Sequence, residues 1–174
     1  MRQLAIVVIS LMALSAYEAL AQDLSEQGWR SYAEPNAGAE LEYPAGIFSE
    51  DSDKKSPSGR VLVTRDGSAR LLIGTLPNAD KHSPRSYQKF IAQESYGGAK
   101  FDYAPVSETW TVLSGTREQT MFYQKIIFTC SGRVISTFAL TYPIVARALY
   151  DPIVERIEDS FRPTTKCDAN DFAG

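Results

Sequence analysis

Residues 121–142 read MFYQKIIFTCSGRVISTFALTY, and their pattern decides the fold. Two runs rich in β-branched and aromatic residues flank Ser131-Gly132, a short glycine-containing link of the kind that closes a two-residue hairpin. With the turn there, Cys130 pairs with Arg133, Thr129 with Val134 and Phe128 with Ile135. Successive side chains of a strand alternate between its faces. One face therefore carries Phe122, Gln124, Ile126, Phe128, Ile135, Thr137 and Ala139, and the other Tyr123, Lys125, Ile127, Val134, Phe138, Leu140 and Tyr142. Neither set is polar, whereas a sheet with one wet side alternates cleanly. The ribbon is expected to be covered on both faces, at least in part.

The nearest cover follows in sequence. Asp151 suits a helix N-cap and Pro152 its first turn, where a missing N–H costs nothing. Ile153, Val154, Ile157 and Phe161 then fall on one apolar stripe, with Glu158 placed to pair with Arg162. Residues 144–150 are expected to form a separate turn or short helix, because a proline disfavours one straight helix through both. Pro163 ends the element.

Upstream, Arg60–Thr64 and Ala69–Thr75 flank Asp66-Gly67, a second hairpin. Ser83-Pro84 opens a helix running to about Glu94 that should bury Tyr87, Phe90 and Ile91 before Gly97-Gly98 stops it. Phe101–Val106 and Thr109–Ser114 read as strands, and Gly115–Gln119 as a lead into the main hairpin. Ala39–Tyr43 is a short strand closing on Pro44, followed by Ile47-Phe48 as an apolar plug and a loop over Ser49–Gly59. Residues 22–38 are polar, with Trp29 and Tyr32 as anchors and Pro35-Asn36 as a turn. Hairpins dominate and no βαβ unit occurs, so the class is antiparallel α+β.

The start of the chain has a different character. Arg2 precedes an apolar run over Leu4–Leu14, and Ala19-Leu20-Ala21 is a small-x-small cleavage site, so residues 1–21 read as a signal peptide cleaved between Ala21 and Gln22. The run is too short to span a bilayer and Glu18 interrupts it. The remaining 153 residues make one domain, here 22–162, with a polar tail over 163–174 and no further membrane span. A net charge of −3 with no basic stripe argues against nucleic acid. Two cysteines in an exported chain point to a disulfide, here Cys130 to Cys167, tying the tail to the hairpin tip. The expected location is periplasmic or secreted.

Three stretches carry a family likeness: Leu41-Glu42-Tyr43-Pro44 with Phe48, Leu140-Thr141-Tyr142-Pro143, and Tyr150 to Ile157 with Ser160-Phe161. They resemble the PsbP-type superfamily, which groups the extrinsic photosystem subunit of that name with Ran-binding Mog-type proteins and many exported bacterial domains. The resemblance implies an α/β/α sandwich on a central antiparallel sheet and a binding or accessory role without chemistry. No partner-binding residues of the photosystem or Ran-binding members can be matched in this sequence, so those activities do not carry over.

Reactive constellations are scarce. His82, the one histidine, has no marked nucleophile or orienting acid and reads as an exposed residue at a helix entry. Ser86-x-x-Lys89 matches a short serine–lysine motif without its companions. Gly-x-Ser-x-Gly, His-Glu-x-x-His and Gly-x-x-x-x-Gly-Lys are absent. Asp151, Glu155 and Glu158 or Asp159 recur at helical spacing and are weak candidates for a cation, as are Asp168, Asn170 and Asp171 in the tail; a solvated helix face accounts for the first set, and calcium needs six or more oxygens. No catalytic residue, metal or cofactor is assigned. Tyr123, Tyr142 and Tyr150, with Arg147 as a charged guide, are candidates to wall a groove between sheet and helix. The expected function is an exported, non-catalytic accessory protein engaging another envelope protein. The alternatives are a small-molecule or lipid carrier using that groove and, behind it, a hydrolase of unfamiliar type.

Overall fold

The Ser131-Gly132 turn closes the main hairpin in the register the alternation requires, with Phe128 opposite Ile135 and Thr129 opposite Val134. Ser131 (φ 57°, ψ 37°) and Gly132 (φ 82°) are both left-handed, the signature of a type I′ turn, and the Arg133 N–H donates to the Cys130 carbonyl at 3.3 Å. The computed structural model describes residues 28–33, 38–51, 59–164 and 167. The proposed cleavage site between Ala21 and Gln22, the Pro35-Asn36 turn and the tail residues Asp168, Asn170 and Asp171 lie outside them.

The hairpin strands β8 (Thr120–Thr129) and β9 (Val134–Pro143) sit inside a seven-stranded antiparallel sheet. Its other strands are β3 (Phe48–Glu50), β4 (Gly59–Thr64), β5 (Arg70–Pro77), β6 (Lys100–Tyr103) and β7 (Trp110–Arg117), in the order β3-β4-β5-β9-β8-β7-β6. A three-stranded sheet is formed by β1 (Trp29–Ala33), β2 (Ala39–Pro44) and β10 (Arg162–Pro163). Helix α1 (Pro84–Glu94) covers one face of the large sheet, where Tyr87 packs with Ile126, Phe128 and Ile135. Helix α2 (Arg147–Ser160) and β2 cover the other, where Ile153, Ile157 and Leu41 join Phe138 and Leu140 in the main core. The two expected faces of the ribbon are thus the two faces the helices cover, and the layers are α/β/α.

Helix α1 starts where the sequence places it. The Ser86 N–H donates to Ser83 Oγ at 3.2 Å and the Ser83 N–H returns to Ser86 Oγ at 2.9 Å, a reciprocal cap with Pro84 at the first position. The β4–β5 turn is equally local. Asp66 Oδ1 accepts from Thr64 Oγ1 (2.7 Å), Ser68 Oγ (2.8 Å) and the Ser68 N–H (3.1 Å). The Thr64 hydroxyl bond foremost, then those of Ser68, draw its carboxyl down to about 2. A depressed carboxyl stabilises the fold fully above the unfolded value near 3.9 and loses that contribution as pH falls toward the folded one. An NMR titration should therefore find the Asp66 midpoint near 2, and Thr64→Ala should move it up toward the ordinary range.

Several local expectations give way to tertiary contacts. Helix α2 begins at Arg147, not Asp151, and carries Pro152 inside it. The interior proline deletes one helical hydrogen bond, but buried Tyr150 and Ile153 on either side hold the segment helical. Asp151 is not a cap; its carboxylate accepts from the Tyr142 hydroxyl and Arg147 Nε. Glu158 pairs with Lys125 rather than Arg162, which reaches Glu40 at 2.7 Å. Phe90 is 44% exposed, not buried. Trp29 and Tyr32 lie on a strand, where Arg156 and Arg60 sit over their rings at 4.2 and 4.7 Å. β7 runs on to Arg117 and turns at Glu118 (φ 57°), so no separate lead precedes β8. The expected tail begins inside the fold: Pro163 pairs with Ala39, and the Thr164 N–H donates to the Gly38 carbonyl at 3.0 Å.

Cys130 and Cys167 are at disulfide distance, Cα–Cα 5.5 Å, which joins the hairpin tip to the segment after β10. No helix among the described residues is long and apolar enough to cross a membrane.

Candidate functional site

Of the four residues expected to wall a groove, Arg147 and Tyr150 lie on α2 and Tyr123 and Tyr142 on the strands beneath it, and the Tyr123 and Tyr142 hydroxyls and the Arg147 guanidinium already have partners. Tyr142 and Tyr150 are buried and stacked, ring centroids 5.1 Å apart, with Phe48 6.4 Å from Tyr150. The Tyr142 hydroxyl donates to Asp151 Oδ1 at 2.7 Å, and Arg147 Nε donates to Asp151 Oδ2 at 3.1 Å. Tyr123 stands apart from them, half-buried, its ring stacked on Phe138 at 5.9 Å. Its hydroxyl donates to Glu158 Oε2 at 2.5 Å, while Lys125 Nζ holds Oε1 at 3.0 Å and lies 5.9 Å from the Trp110 ring. These bonds fasten α2 to β8 and β9. One face of each of these three rings is taken by another ring.

Burial raises the Tyr123, Tyr142 and Tyr150 phenols; the carboxylates of Glu158 and Asp151 add to it at the first two. Tyr96 and Tyr87 are raised by burial as well. A phenol held protonated in the fold stabilises it fully below the unfolded value near 10 and loses that contribution as pH rises above it. The urea midpoint is expected to be flat through neutral pH and to fall steeply beyond about pH 10, with tyrosinate absorbance appearing together with unfolding rather than before it.

His82 does have an acid and a serine near it, at Nε2–Asp80 Oδ2 4.0 Å and Nδ1–Ser86 Oγ 3.3 Å. The arrangement does not form a catalytic relay. Ser86 Oγ accepts from the Ser83 N–H and donates to the Ser83 carbonyl, so it is spent on the helix cap. Asp80 is 86% exposed and beyond hydrogen-bond reach. His82 packs against Tyr87 and Phe90 instead, at 5.5 and 5.6 Å between ring centroids.

The α2 carboxylates do not converge. Asp151 is turned to Arg147 and Tyr142, whereas Glu155 and Asp159 are exposed. Among the described residues no three metal-type ligands come together.

One surface was not visible in the sequence. The strand registers put Val61 opposite Leu72 and Leu72 opposite Ala139, with Leu76 opposite Ile135, all on the α1 face. Yet α1 lies over β7 and β8 and meets β9 only where Tyr87 packs with Ile135, and Val61, Val63, Leu72, Leu76 and Ala139 remain partly exposed. Ala92 on one flank of α1 packs with Leu113 and Phe122, so Phe90 on the opposite flank borders this shelf. Nothing in the sequence signalled it: Tyr87, Phe90 and Ile91 fall at the i, i+3, i+4 spacing of one buried stripe, and only the placement of α1 on the sheet leaves Phe90 at its edge. At the start of α1 an open depression of about 500 Å3 is lined by Ser83, Pro84, Arg85, Val106, Ser107 and Glu108. Further along α1, Gln88 fastens the helix to β7 and the segment before it, its Nε2 donating to the Ala104, Pro105 and Val112 carbonyls at 3.1, 3.3 and 2.9 Å.

Solved structures share this architecture. The solution structure of cyanobacterial PsbP (CyanoP) from Synechocystis sp. PCC 6803 superimposes with a TM-score of 0.58 at 14% identity, over 79% of this chain and 93% of that one. The fold is PsbP/Mog-like. The Ran-binding protein Mog1p of Saccharomyces cerevisiae gives 0.57 at 10% identity, over 78% and 95%. No family model matches the sequence and no curated protein matches it significantly. At identities this low the PsbP/Mog-like likeness speaks for the backbone alone.

Proposed function

We propose that this chain is an exported, non-catalytic binding protein that engages a protein of the cell envelope through the open shelf on the α1 face. One observation carries the reading: an apolar strip from Val61 through Leu72 to Ala139, bordered by Phe90, is left partly in water by a fold that buries its other sheet face. Contiguous exposed apolar surface on a stable domain marks interaction sites. The signal-like start and the Cys130–Cys167 pair support export. Mog1p, of like fold, is itself described as a Ran-binding protein, which supports a protein partner in general and no partner in particular.

A photo-crosslinking residue at Leu72 tests this in intact cells. One reproducible adduct with an envelope protein is expected there, and none with the same probe at exposed Glu155 on α2. Equal yields at the two positions, or no adduct at Leu72, would sink the reading.

A further inference from the structure

β6 is an outer edge of the large sheet, and all four of its residues are exposed. Phe101 and Tyr103, 37% and 55% exposed, are among the large apolar side chains left in water. An open edge can pair with any extended chain, and natural edges are blunted by lysines and bulges. β6 has both. Lys100 stands on it, and the register slips between Phe101–Gly115 and Tyr103–Ser114, so Asp102 has no partner on β7. Gly115 lets β6 lie this close, because a Cβ there would run into the Lys100 carbonyl.

The lysine is not left alone, however. Lys100 Nζ and Asp102 Oδ1 are 3.3 Å apart on one side of the strand, both well exposed. A segment ordered basic–aromatic–acidic is its own complement in an antiparallel pair. With the two-fold axis at Phe101, Lys100 falls opposite Asp102 of a second copy, Asp102 opposite its Lys100, and Ala99 opposite its Tyr103. The two Phe101 rings then meet, each backed by Tyr96 at 6.4 Å and Phe122 at 5.7 Å. A foreign strand without this order has no lysine and acid placed to exchange partners with Lys100 and Asp102.

We infer that β6 is a self-association edge: two copies pair antiparallel about Phe101, their Lys100 and Asp102 side chains exchanging partners across the axis. The interface is isologous, so it closes at two copies. It is independent of the shelf beside α1. So short a strand contact is below the usual size of a stable interface, and a dissociation constant on the order of 0.1–1 mM follows.

Sedimentation equilibrium of the mature, oxidised protein up to about 1 mM tests it. Lys100→Glu and Asp102→Lys each set like charges opposite one another at both symmetric contacts, and each should weaken dimerisation about tenfold or more. An equimolar mixture of the two variants makes every cross-axis contact opposite in sign and should associate as tightly as the natural chain. Leu72→Asp, on the shelf, should leave association unchanged. Circular dichroism checks that these exposed substitutions keep the fold. A natural chain that stays monomeric throughout, variants that dimerise as well as it does, or a mixture no tighter than its components would each overturn the proposal. So would dimerisation lost with Leu72→Asp alone, since the contact would then lie on the shelf.

Discussion

Phe138→Ala is expected to lower the unfolding free energy by about 3–5 kcal/mol, the range for emptying a closed aromatic site. The side chain is wholly buried on β9, the central strand of the large sheet. Its ring stacks on Tyr123 at 5.9 Å and takes the edge of Phe161 at 5.1 Å, so it touches both the sheet and the residue that ends α2. Neither neighbour is free to collapse into the space. Tyr123 is tied to Glu158 through its hydroxyl, and Phe161 is fixed between Ser160, whose Oγ accepts from the Glu42 N–H at 2.9 Å, and β10. A loss of that size is a large part of the roughly 5–15 kcal/mol that holds a domain together. Urea unfolding should show a much lower midpoint with an unchanged slope. Val145→Ala is the contrast: the side chain is 90% exposed and the change should stay within about 0.5 kcal/mol. Comparable losses for the two would mean that the Phe138 site is not closed.

Replacing both Cys130 and Cys167 by serine should cost about 4 kcal/mol at most, the chain-entropy value for a bridge across 37 residues. The closed loop contains all of β9, α2 and β10, so the unfolded chain gains freedom over that whole segment when the link is removed. The native state loses less, because Arg162–Glu40 and the Gly38–Thr164 bonds still hold the end of the chain to β2. The double variant is therefore expected to keep its fold while melting lower. Thermal melts of the variant and of the reduced natural chain should coincide. A reduced chain that melts with the oxidised one would show that the link contributes nothing to stability.

The local reading and the fold part company at identifiable places. The main hairpin, its register and its two apolar faces were legible because alternation and a two-residue turn are set by neighbours in sequence. The Ser83-Pro84 cap and the Asp66-Gly67 turn were legible for the same reason. α2 was misread at its start, since Asp151-Pro152 is a good local helix entry and only buried Tyr150 and Ile153 carry the helix through it. Glu158 shows the same limit. Helical spacing offered Arg162, but the sheet beneath presents Lys125 and Tyr123, and the half-buried site favours the pair it can desolvate together.

What the linear order of residues determined, then, was the main hairpin, the Asp66-Gly67 turn, the Ser83-Pro84 cap and the pairing of hydrophobic faces, because those follow from bonds and contacts within a few residues. It determined as well that no familiar reactive motif is present. Tertiary structure alone decided that Tyr142 stacks on Tyr150 while Tyr123 stacks on Phe138, and that the strip from Val61 to Ala139 stays partly in water. An eleven-residue helix is too narrow to roof a seven-stranded sheet, and which strands it leaves bare depends on where it crosses them, a fact no local pattern encodes.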